Sequence, residues 1–454
     1  MQQTQTVTET GNRLLPEWRE RLSPSKLSAI PGRYKLRRLY TRSHSKPPMR
    51  EPGPPGGIAA LQRSFSVFES FRQLRERRWS VFDIQYPVLA AFTLASIWIV
   101  EPAAPFIKTL AALGYFSLLL MPVTRQFFLP SWPIWTYLLY FFSSRFIPFD
   151  IRPEIFVQVL PALEDILYGT NFSNVFSSWT HAVLDILAWF PYGLGHFGLP
   201  AICSAIIFVF AAPGTLPMFA KSFGWLSILG VTIQLLFPCT PPWYERLHGL
   251  EPAQYGMQGS PAGLARIDAL FGVDMYTTSF TTAPVPFGAF PSLHAADAIL
   301  EALFISFCFP RLRALCVFYV VWICWATMYL NHHYAVDLLG GGLIAYAIFV
   351  VVRRFWLPRP QPGKKYRWEY EYIEVGAMRK NPALDEELGY RPVEGGEGGQ
   401  PKHSAEWAEE FTVLDSFMHS ASSSGSASPT ASLLSSSSSS SSSPRSDRSG
   451  RRND

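Results

Sequence analysis

The sequence predicts an all-α polytopic membrane protein with about eight transmembrane helices. Its 454 residues are 48% hydrophobic and 15% aromatic but only 16% charged, and the mean hydropathy is +0.11 although both ends are polar. Apolar residues concentrated in one interval would expose too large an apolar surface in a soluble domain. That interval also divides into stretches close to the roughly 20 residues that cross ~30 Å of hydrocarbon.

These stretches define the predicted spans. They cover residues 86–104, 106–122, 132–148, 197–213, 222–238, 292–309, 312–330 and 335–353. Residues 175–195 are also apolar, but Pro191, Gly193 and Gly195 interrupt them. We therefore predict a lumenal or re-entrant helix there rather than a further crossing.

The two ends have a different composition from the centre. Residues 1–80 are polar and basic without sustained apolar periodicity, and residues 435–443 form an unbroken serine run. We expect largely disordered cytosolic tails at 1–80 and 356–454, flanking a transmembrane domain at 81–355 that contains all candidate catalytic residues. Residues 1–80 contain no short apolar core with a cleavage site, so we expect the first span to direct insertion.

The distribution of basic residues predicts the orientation, because cytosolic loops are enriched in Lys and Arg. An even number of crossings puts both tails on one side, and the basic residues of that side are Arg72, Arg75, Arg77, Arg78, Lys221, Arg311, Arg313, Arg353, Arg354, Lys364 and Lys365. In the opposite loops, acidic residues dilute the arginines. The formal net charge of +5 is modest and lies beside the apolar core, which favours membrane topology and lipid headgroup contact over nucleic-acid binding.

Two local features concern modification. The five cysteines follow no CxxC spacing, so we interpret them as packing residues, with a disulfide between Cys203 and Cys239 as the alternative. A sequon at Asn171 lies on the predicted lumenal side and is a candidate glycan acceptor.

The first polar motif is PSLH, residues 291–294. Pro291 suits a first helical turn, and the apolar run that follows ends before Pro310. We expect the backbone N–H groups of Ser292, Leu293 and His294 to point at the lumenal interface, where they suit a phosphate. The alternative is an ordinary capped helix start.

The second motif is NHHYAVD, residues 331–337. His333 and Asp337 are four apart and so share a helix face, where the carboxylate would accept the imidazole N–H and leave the other nitrogen as a nucleophile or base. A polar pair that only caps a membrane helix is the alternative, although intramembrane His and Asp are costly and usually functional. Three glycines, 340–342, then allow close helix packing.

Three kinds of chemistry use such residues. A metal site would need further ligands, and only His332 is available, so no metal or other cofactor is expected. Asn331, His332 and Asp337 match the NHxxxxD signature of glycerolipid acyltransferases, but that assignment leaves PSLH unexplained. Phosphoryl transfer uses His294, His333 and Asp337 together.

PSLH followed by HHYAVD resembles the second and third motifs of the type 2 phosphatidic acid phosphatase (PAP2) superfamily, whose members share a bundle of membrane helices. The resemblance implies a PAP2-like six-helix catalytic bundle. It also implies that His333 is the nucleophile, Asp337 the carboxylate that orients it, and His294 the general acid and base.

The sequence departs from the phosphatase pattern at the basic motifs. KxxxxxxRP does not occur, and Ala326 and Thr327 replace the expected Ser-Arg pair. Those basic residues would bind a phosphomonoester, which carries about −1.5 to −2 charges near neutral pH. A phosphodiester carries one negative charge, so the departure favours a transferase that cleaves a phosphodiester lipid.

A wider similarity supports this interpretation. Residues 237–245, 248–272 and 287–294 resemble the catalytic subunits of fungal inositol phosphorylceramide synthases, a family similar to this chain over about residues 80–355. The family implies transfer of phosphoinositol from phosphatidylinositol to the primary hydroxyl of ceramide or phytoceramide, with release of diacylglycerol. It also implies a lumenal active site in the Golgi membrane and a small accessory membrane subunit. A lipid phosphate phosphatase and a non-catalytic lipid-binding scaffold are the alternatives.

Four residues in the lumenal loops are candidate substrate ligands. Arg266 would meet the phosphate and Asp268 the inositol hydroxyls, unless the two form an ordinary loop salt bridge. Tyr244 and Glu245 occupy the place of the first PAP2 motif, where they would line the headgroup pocket or belong to a rigid proline-rich loop.

Two further acidic residues lie on the predicted helix that follows PSLH. Asp297 is one turn from His294 and would tune it or make a polar packing contact. Glu301 lies deeper on the same face, where a packing role explains it less well.

Overall fold

The computed structural model describes residues 61–76, 80–370, 373 and 375. These residues form helices and no strands; the β-structure among them consists of isolated bridges, two of which join the loops at Phe156, Cys239 and Gly288. The predicted all-α membrane fold is confirmed.

The helices are as follows. The first part of the chain forms α1 Val67–Glu76, α2 Gln85–Ile99, α3 Pro105–Leu120, α4 Pro122–Ser143, α5 Val159–Tyr168, α6 Phe172–Ser177 and α7 Ala182–Trp189. The second part forms α8 His196–Phe210, α9 Thr215–Leu236, α10 Pro242–His248, α11 Leu264–Phe271, α12 Met275–Thr281, α13 Leu293–Cys308, α14 Arg313–Tyr329 and α15 Ala335–Phe355. Short 3₁₀ turns cover Val81–Ile84, Ser144–Phe146, Phe149–Ile151, Pro310–Leu312 and Arg367–Glu369, and a π-helical turn covers Phe190–Gly195.

The predicted count of eight spans is not confirmed. Within the described residues, five helices are long and apolar enough to cross a membrane: Val81–Ile99, Ala182–Phe210, Thr215–Leu236, Pro310–Tyr329 and Ala335–Phe355. The helix α3 and the segment Pro122–Phe146 meet at a bend of 107°. If these two together form one broken span, the number of crossings is six. The helix α13 has 16 residues, about 24 Å of rise, and is too short to qualify.

The segment predicted as a separate lumenal or re-entrant helix is part of a longer span. The helix α7 continues through the π-helical turn into α8, which makes 29 residues from Ala182 to Phe210. Pro191 lies inside that turn, where the wider backbone ring keeps the helix axis continuous. The interruption in the sequence therefore marks a change of helical pitch and not a break in the span.

The helix α9 is the centre of the bundle. It packs extensively against α4, and it also contacts α8, α13 and α15. Its apolar core is shared by Phe219 and Leu226 of α9, Leu300 and Phe304 of α13, and Phe349 of α15. The helices α14 and α15 direct large apolar side chains outward, as helices in contact with lipid do: Leu315, Val317, Phe318, Val321, Leu339 and Leu343.

The short helices of the loops attach to the connection between α14 and α15. The N–H of Trp243 in α10 donates to the carbonyl of Asn331, and Ser173 of α6 donates to the carbonyl of Met328. The N–H of Gly263 donates to the carbonyl of Leu330, next to α11. The end of the bundle that contains this connection is therefore covered by protein.

The helix directions separate the polar motifs from the basic residues. The helix α13 runs from Leu293 to Cys308, and α14 and α15 follow in alternating directions. The ends marked by Arg311, Arg313 and Arg353 are thus opposite to the ends that contain PSLH and HHYAVD.

The tails are largely outside the described residues. The helix α1 lies within the segment predicted to be disordered, and Arg125 of α4 donates a hydrogen bond to Gln73 of α1 at 2.6 Å. Residues 394–454, which contain the serine run, are outside the described residues.

A close approach of α9 and α4 generates a stability prediction. A Cβ on Gly224 would overlap the backbone of Pro133 and Ile134, whereas nothing lies within 4 Å of a Cβ on Gly114 in α3. We expect Gly224→Ala to destabilise the protein by about 1–3 kcal/mol, because packed backbones have to separate. Thermal unfolding in detergent measures this, with Gly114→Ala as the helical control. Equal melting temperatures for both variants would contradict the close packing.

Candidate active site

The N-termini of α13 and α15 meet at the centre of the site. The N–H of Ser292 donates to the carbonyl of Asp337 at 3.1 Å. One turn further along α15, a Cβ on Gly341 would overlap the carbonyl oxygen of Ser292. A glycine at this position therefore lets the two helix ends approach to hydrogen-bonding distance.

The three predicted catalytic residues form a continuous line. Nδ1 of His294 lies 3.1 Å from Nε2 of His333, and Nδ1 of His333 lies 3.1 Å from Oδ2 of Asp337. Asp337 is fully buried and His333 is almost so. An ionised carboxylate only accepts, so Nδ1 of His333 has the proton, and Nε2 presents a lone pair toward His294.

Ser292 has a different role from the one predicted. Its side chain is buried and caps α13 by accepting the N–H of Ala295 at 3.4 Å. Its own N–H is engaged by Asp337, so it is not free to bind a phosphate. The N–H groups of Leu293 and His294, in the first turn of α13, have no acceptor earlier in the helix and remain suited to an anion.

The turn before His333 depends on Asn331. Its backbone is left-handed, with φ of 62°, a conformation in which asparagine is enriched among residues other than glycine. Its amide donates to Ser173 and Ser177 of α6 at 3.0 and 3.3 Å. These contacts fix the direction in which the chain enters the two histidines.

His332 points away from the catalytic line. Its Nε2 lies 3.1 Å from the carbonyl of Pro261, and its ring packs on Tyr192 and Phe280. Burial, followed by the neighbouring His333, lowers the pKa of His332 to about 3, although the bond to Pro261 opposes the shift. A neutral His332 without a carboxylate partner does not fit the acyltransferase signature, because Asp337 pairs with His333.

Glu164 supports the start of α15, and this role was not predicted from the sequence. Its carboxylate accepts the N–H groups of Ala335 and Val336 at 3.2 and 3.0 Å, at the start of α15, and that of Phe172 at 3.4 Å. Burial raises the pKa of Glu164, these hydrogen bonds oppose the shift, and Asp337 adds to it. Glu164 lies 173 positions before Asp337, so no local spacing in the sequence reveals the contact.

Tyr192 and His196 were also missed. The ring of Tyr192 stacks on His294 with centroids 4.4 Å apart, and the ring of His196 lies 4.3 Å from the same imidazole. Tyr192 belongs to the π-helical turn, and His196 is the first residue of α8. Interruption of an apolar stretch by Pro and Gly was the available signal, since π-helical turns occur frequently at functional sites.

Arg266 and Asp268 make contacts within the loops. The guanidinium of Arg266 pairs with Asp185 at 2.8 Å, and Asp268 accepts hydrogen bonds from the N–H groups of Tyr276 and Thr277. Burial raises the pKa of Asp268, but the hydrogen bonds from Thr277 and Tyr276 outweigh it, so the pKa is lowered overall. The two residues do not pair with each other. Their contact with substrate stays a prediction. To contact the phosphate, Arg266 would have to bind it together with Asp185 or release Asp185.

Tyr244 and Glu245 likewise have partners within the protein. Tyr244 is fully buried and donates to the carbonyl of Glu251 at 3.1 Å. Glu245 accepts from Tyr334 at 3.1 Å and from the side-chain amide of Asn171 at 2.9 Å. The role of Tyr244 in substrate binding stays a prediction. The Asn171 nitrogen that a glycan would occupy is used in this contact.

All five cysteines are free. Ala326 and Thr327, which replace the basic pair of the phosphatase pattern, are both fully buried. Among the described residues, no group of three or more His, Cys, Asp or Glu side chains is arranged to hold a metal ion.

A known family profile covers the part of the chain that forms the candidate site. The PAP2 superfamily profile matches residues 164–351, a range that begins at Glu164 and includes the whole catalytic line. No solved structure was found to match the chain.

The chain is similar to several named proteins. It is 51% identical to the inositol phosphorylceramide synthase catalytic subunit aur1 of Schizosaccharomyces pombe over 316 residues, 70% of this chain and 75% of that protein. It is 42% identical to the corresponding catalytic subunit of Saccharomyces cerevisiae over 72% of this chain and 82% of that protein. A phosphoinositol dihydroceramide synthase of Bacteroides thetaiotaomicron is 29% identical over 42% of this chain and 65% of that protein. The chain therefore belongs to the inositol phosphorylceramide synthase family within the PAP2 superfamily.

Proposed function

We propose that this multi-pass membrane protein transfers phosphoinositol from phosphatidylinositol to the primary hydroxyl of ceramide or phytoceramide and releases diacylglycerol. One observation supports this most directly. A nucleophilic nitrogen of His333, oriented by Asp337, faces the imidazole of His294 across 3.1 Å. A phosphodiester that enters between the two rings would meet a nucleophile on one side and a proton donor on the other.

The first half-reaction cleaves the donor lipid. The lone pair of Nε2 of His333 attacks phosphorus, and the bond from phosphorus to the diacylglycerol oxygen breaks. A doubly protonated His294 gives its Nδ1 proton to the departing alkoxide and becomes neutral. The product is a phosphoinositol group on His333, while Asp337 stabilises the positive charge on that ring.

The second half-reaction regenerates the enzyme. Neutral His294 removes the proton from the primary hydroxyl of ceramide, and that oxygen attacks phosphorus. The bond from phosphorus to Nε2 of His333 breaks, and its electron pair returns to the imidazole. Both histidines then have their initial protonation, so the cycle needs no other reagent.

The charges of the site suit a phosphodiester. The single negative charge of the bound phosphodiester would favour the protonated form of His294, and the positive ends of the dipoles of α13 and α15 also face that charge. The basic pair that a phosphatase would use is replaced by the buried residues Ala326 and Thr327. This difference favours phosphoinositol transfer over phosphatidic acid hydrolysis, and the ordered catalytic line favours an enzyme over a lipid-binding scaffold.

We also propose a Golgi location with the active site in the lumen and both tails in the cytosol. The separation of Arg311, Arg313 and Arg353 from the catalytic line supports this orientation, since basic residues mark cytosolic ends. The catalytic unit we propose is residues 81–355, with tails at 1–80 and 356–454. A small accessory membrane subunit is part of the proposal on the strength of the family resemblance.

The reaction itself is tested with purified protein, fluorescent ceramide and phosphatidylinositol in mixed micelles. We expect fluorescent inositol phosphorylceramide and an equal amount of diacylglycerol, with no product when phosphatidylinositol is omitted. Release of inorganic phosphate from phosphatidic acid, without transfer to ceramide, would show a phosphatase instead.

Substitutions in the catalytic line test the residue roles. His333→Ala, His294→Ala and Asp337→Asn should each lower kcat by at least about 10²-fold, because each removes a group needed for nucleophilic or general acid–base catalysis. The control is His332→Gln, which keeps a donor for the Pro261 carbonyl and should retain most activity. An inactive His332→Gln together with an active His333→Ala would support the acyltransferase register.

Tyr192 is predicted to stabilise the protonated form of His294 through its ring face. Tyr192→Leu should lower kcat by about 2- to 30-fold, the range of cation–π energies, with little change in KM for either lipid. Tyr192→Phe keeps the ring and should restore kcat. If the phenylalanine and leucine variants lose kcat equally, the ring face is not the active feature.

A further inference from the structure

Two buried carboxyl groups lie directly below the catalytic line and have no part in the reaction described above. Asp297 and Glu301 are both on α13, and each is only 3% exposed. They follow His294 by three and seven residues, so all three side chains share one helix face. Along the helix axis they lie about 4.5 and 10.5 Å deeper than His294.

One of these carboxyl groups has a buried oxygen without a compensating partner in the described residues. Oδ1 of Asp297 is buried without any hydrogen-bond partner in the described part of the chain. Neither carboxyl belongs to an ion pair among the same residues. A buried polar group without a partner destabilises the fold unless a ligand or water supplies one.

Polar side chains of three other helices lie in the neighbourhood of the two carboxyl groups. Tyr137 of α4 lies near Asp297, and Tyr319 of α14 lies near both carboxyl groups. Cys203 of α8 lies near Glu301. The helix that bears the two carboxyl groups packs against α8, α9, α14 and α15, so they lie inside the bundle.

The position of Asp297, one turn deeper than His294, indicates which kind of ligand it would bind. A lipid whose reacting oxygen is beside His294 must extend its next few atoms along α13 toward the hydrocarbon. In ceramide those atoms include an amide N–H and a secondary hydroxyl, two and three bonds from the primary hydroxyl carbon. In diacylglycerol the corresponding atoms are ester oxygens, which accept hydrogen bonds but do not donate them.

We propose that Asp297, with Glu301 one turn deeper, forms the acceptor subsite that binds the hydrogen-bond donors of the sphingoid backbone. The amide N–H and the C3 hydroxyl of ceramide donate to Asp297, and a deeper hydroxyl, where the lipid has one, reaches Glu301. The subsite rests on the proposed function and adds to it a means of selecting the acceptor. Diacylglycerol would leave the carboxyl groups without donors, so the enzyme favours ceramide as the alcohol that attacks the phosphohistidine.

The test uses the full-length protein, ceramide and N-methylated ceramide, which lacks the amide N–H. Asp297→Leu should raise the KM for ceramide by about tenfold or more, the loss of one or two buried hydrogen bonds. KM for phosphatidylinositol and the rate of phosphohistidine formation at His333 should not change. The matched variant Asp297→Asn keeps an acceptor oxygen and should show a smaller increase.

Comparison of ceramide with N-methylated ceramide distinguishes a role of Asp297 in substrate recognition from a role in packing. Wild-type protein should use N-methylated ceramide about as poorly as Asp297→Leu uses ceramide, and the leucine variant should not distinguish the two lipids. Equal discrimination by both proteins, or an equal rise in KM for phosphatidylinositol, would overturn the subsite. If leucine prevents folding, judged by thermal unfolding, Asp297→Ala provides the same comparison. Absence of any transfer to ceramide by the wild-type protein would instead reject the proposed function.

Discussion

The backbone hydrogen bond from Ser292 to Asp337 joins the N-terminal ends of α13 and α15, which are separated in sequence by the whole of α13 and α14. It requires Gly341, because any side chain there would overlap the carbonyl of Ser292. The distance between His294 and His333 follows from this contact, since each histidine is within four residues of it in sequence. The reactive geometry is thus a property of helix packing and not of flexible side chains.

A second constraint is that polar groups at this depth need partners, and the short loop helices supply them. Glu164 binds the free N–H groups at the start of α15, and Asn331 attaches the preceding turn to α6. Asn171 and Tyr334 meet on the carboxylate of Glu245. Loops that look like headgroup-binding segments in the sequence therefore also act as the rigid support of the catalytic helix.

The fold class and the pairing of His333 with Asp337 were predictable from the sequence because both depend on local spacing. The catalytic roles of these residues and of His294 stay a prediction. His333 and Asp337 are one turn apart, and PSLH marks a helix start, so their chemistry is visible in short windows. Glu164 and His196 reach the site through tertiary packing, which no window contains. The predicted count of eight spans is not confirmed for a related reason, since apolar composition does not reveal a 107° bend or the length at which a helix such as α13 ends.

The direct contact between the two imidazoles proposed to be catalytic has a consequence for reactivity. In the proposed protonation state, the lone pair of His333 that would attack phosphorus accepts the N–H of His294 at 3.1 Å. An electrophile or a water molecule would then have to displace His294 before it could react with that lone pair. Only a molecule that inserts between the rings, accepting the proton of one and offering phosphorus to the other, releases that reactivity.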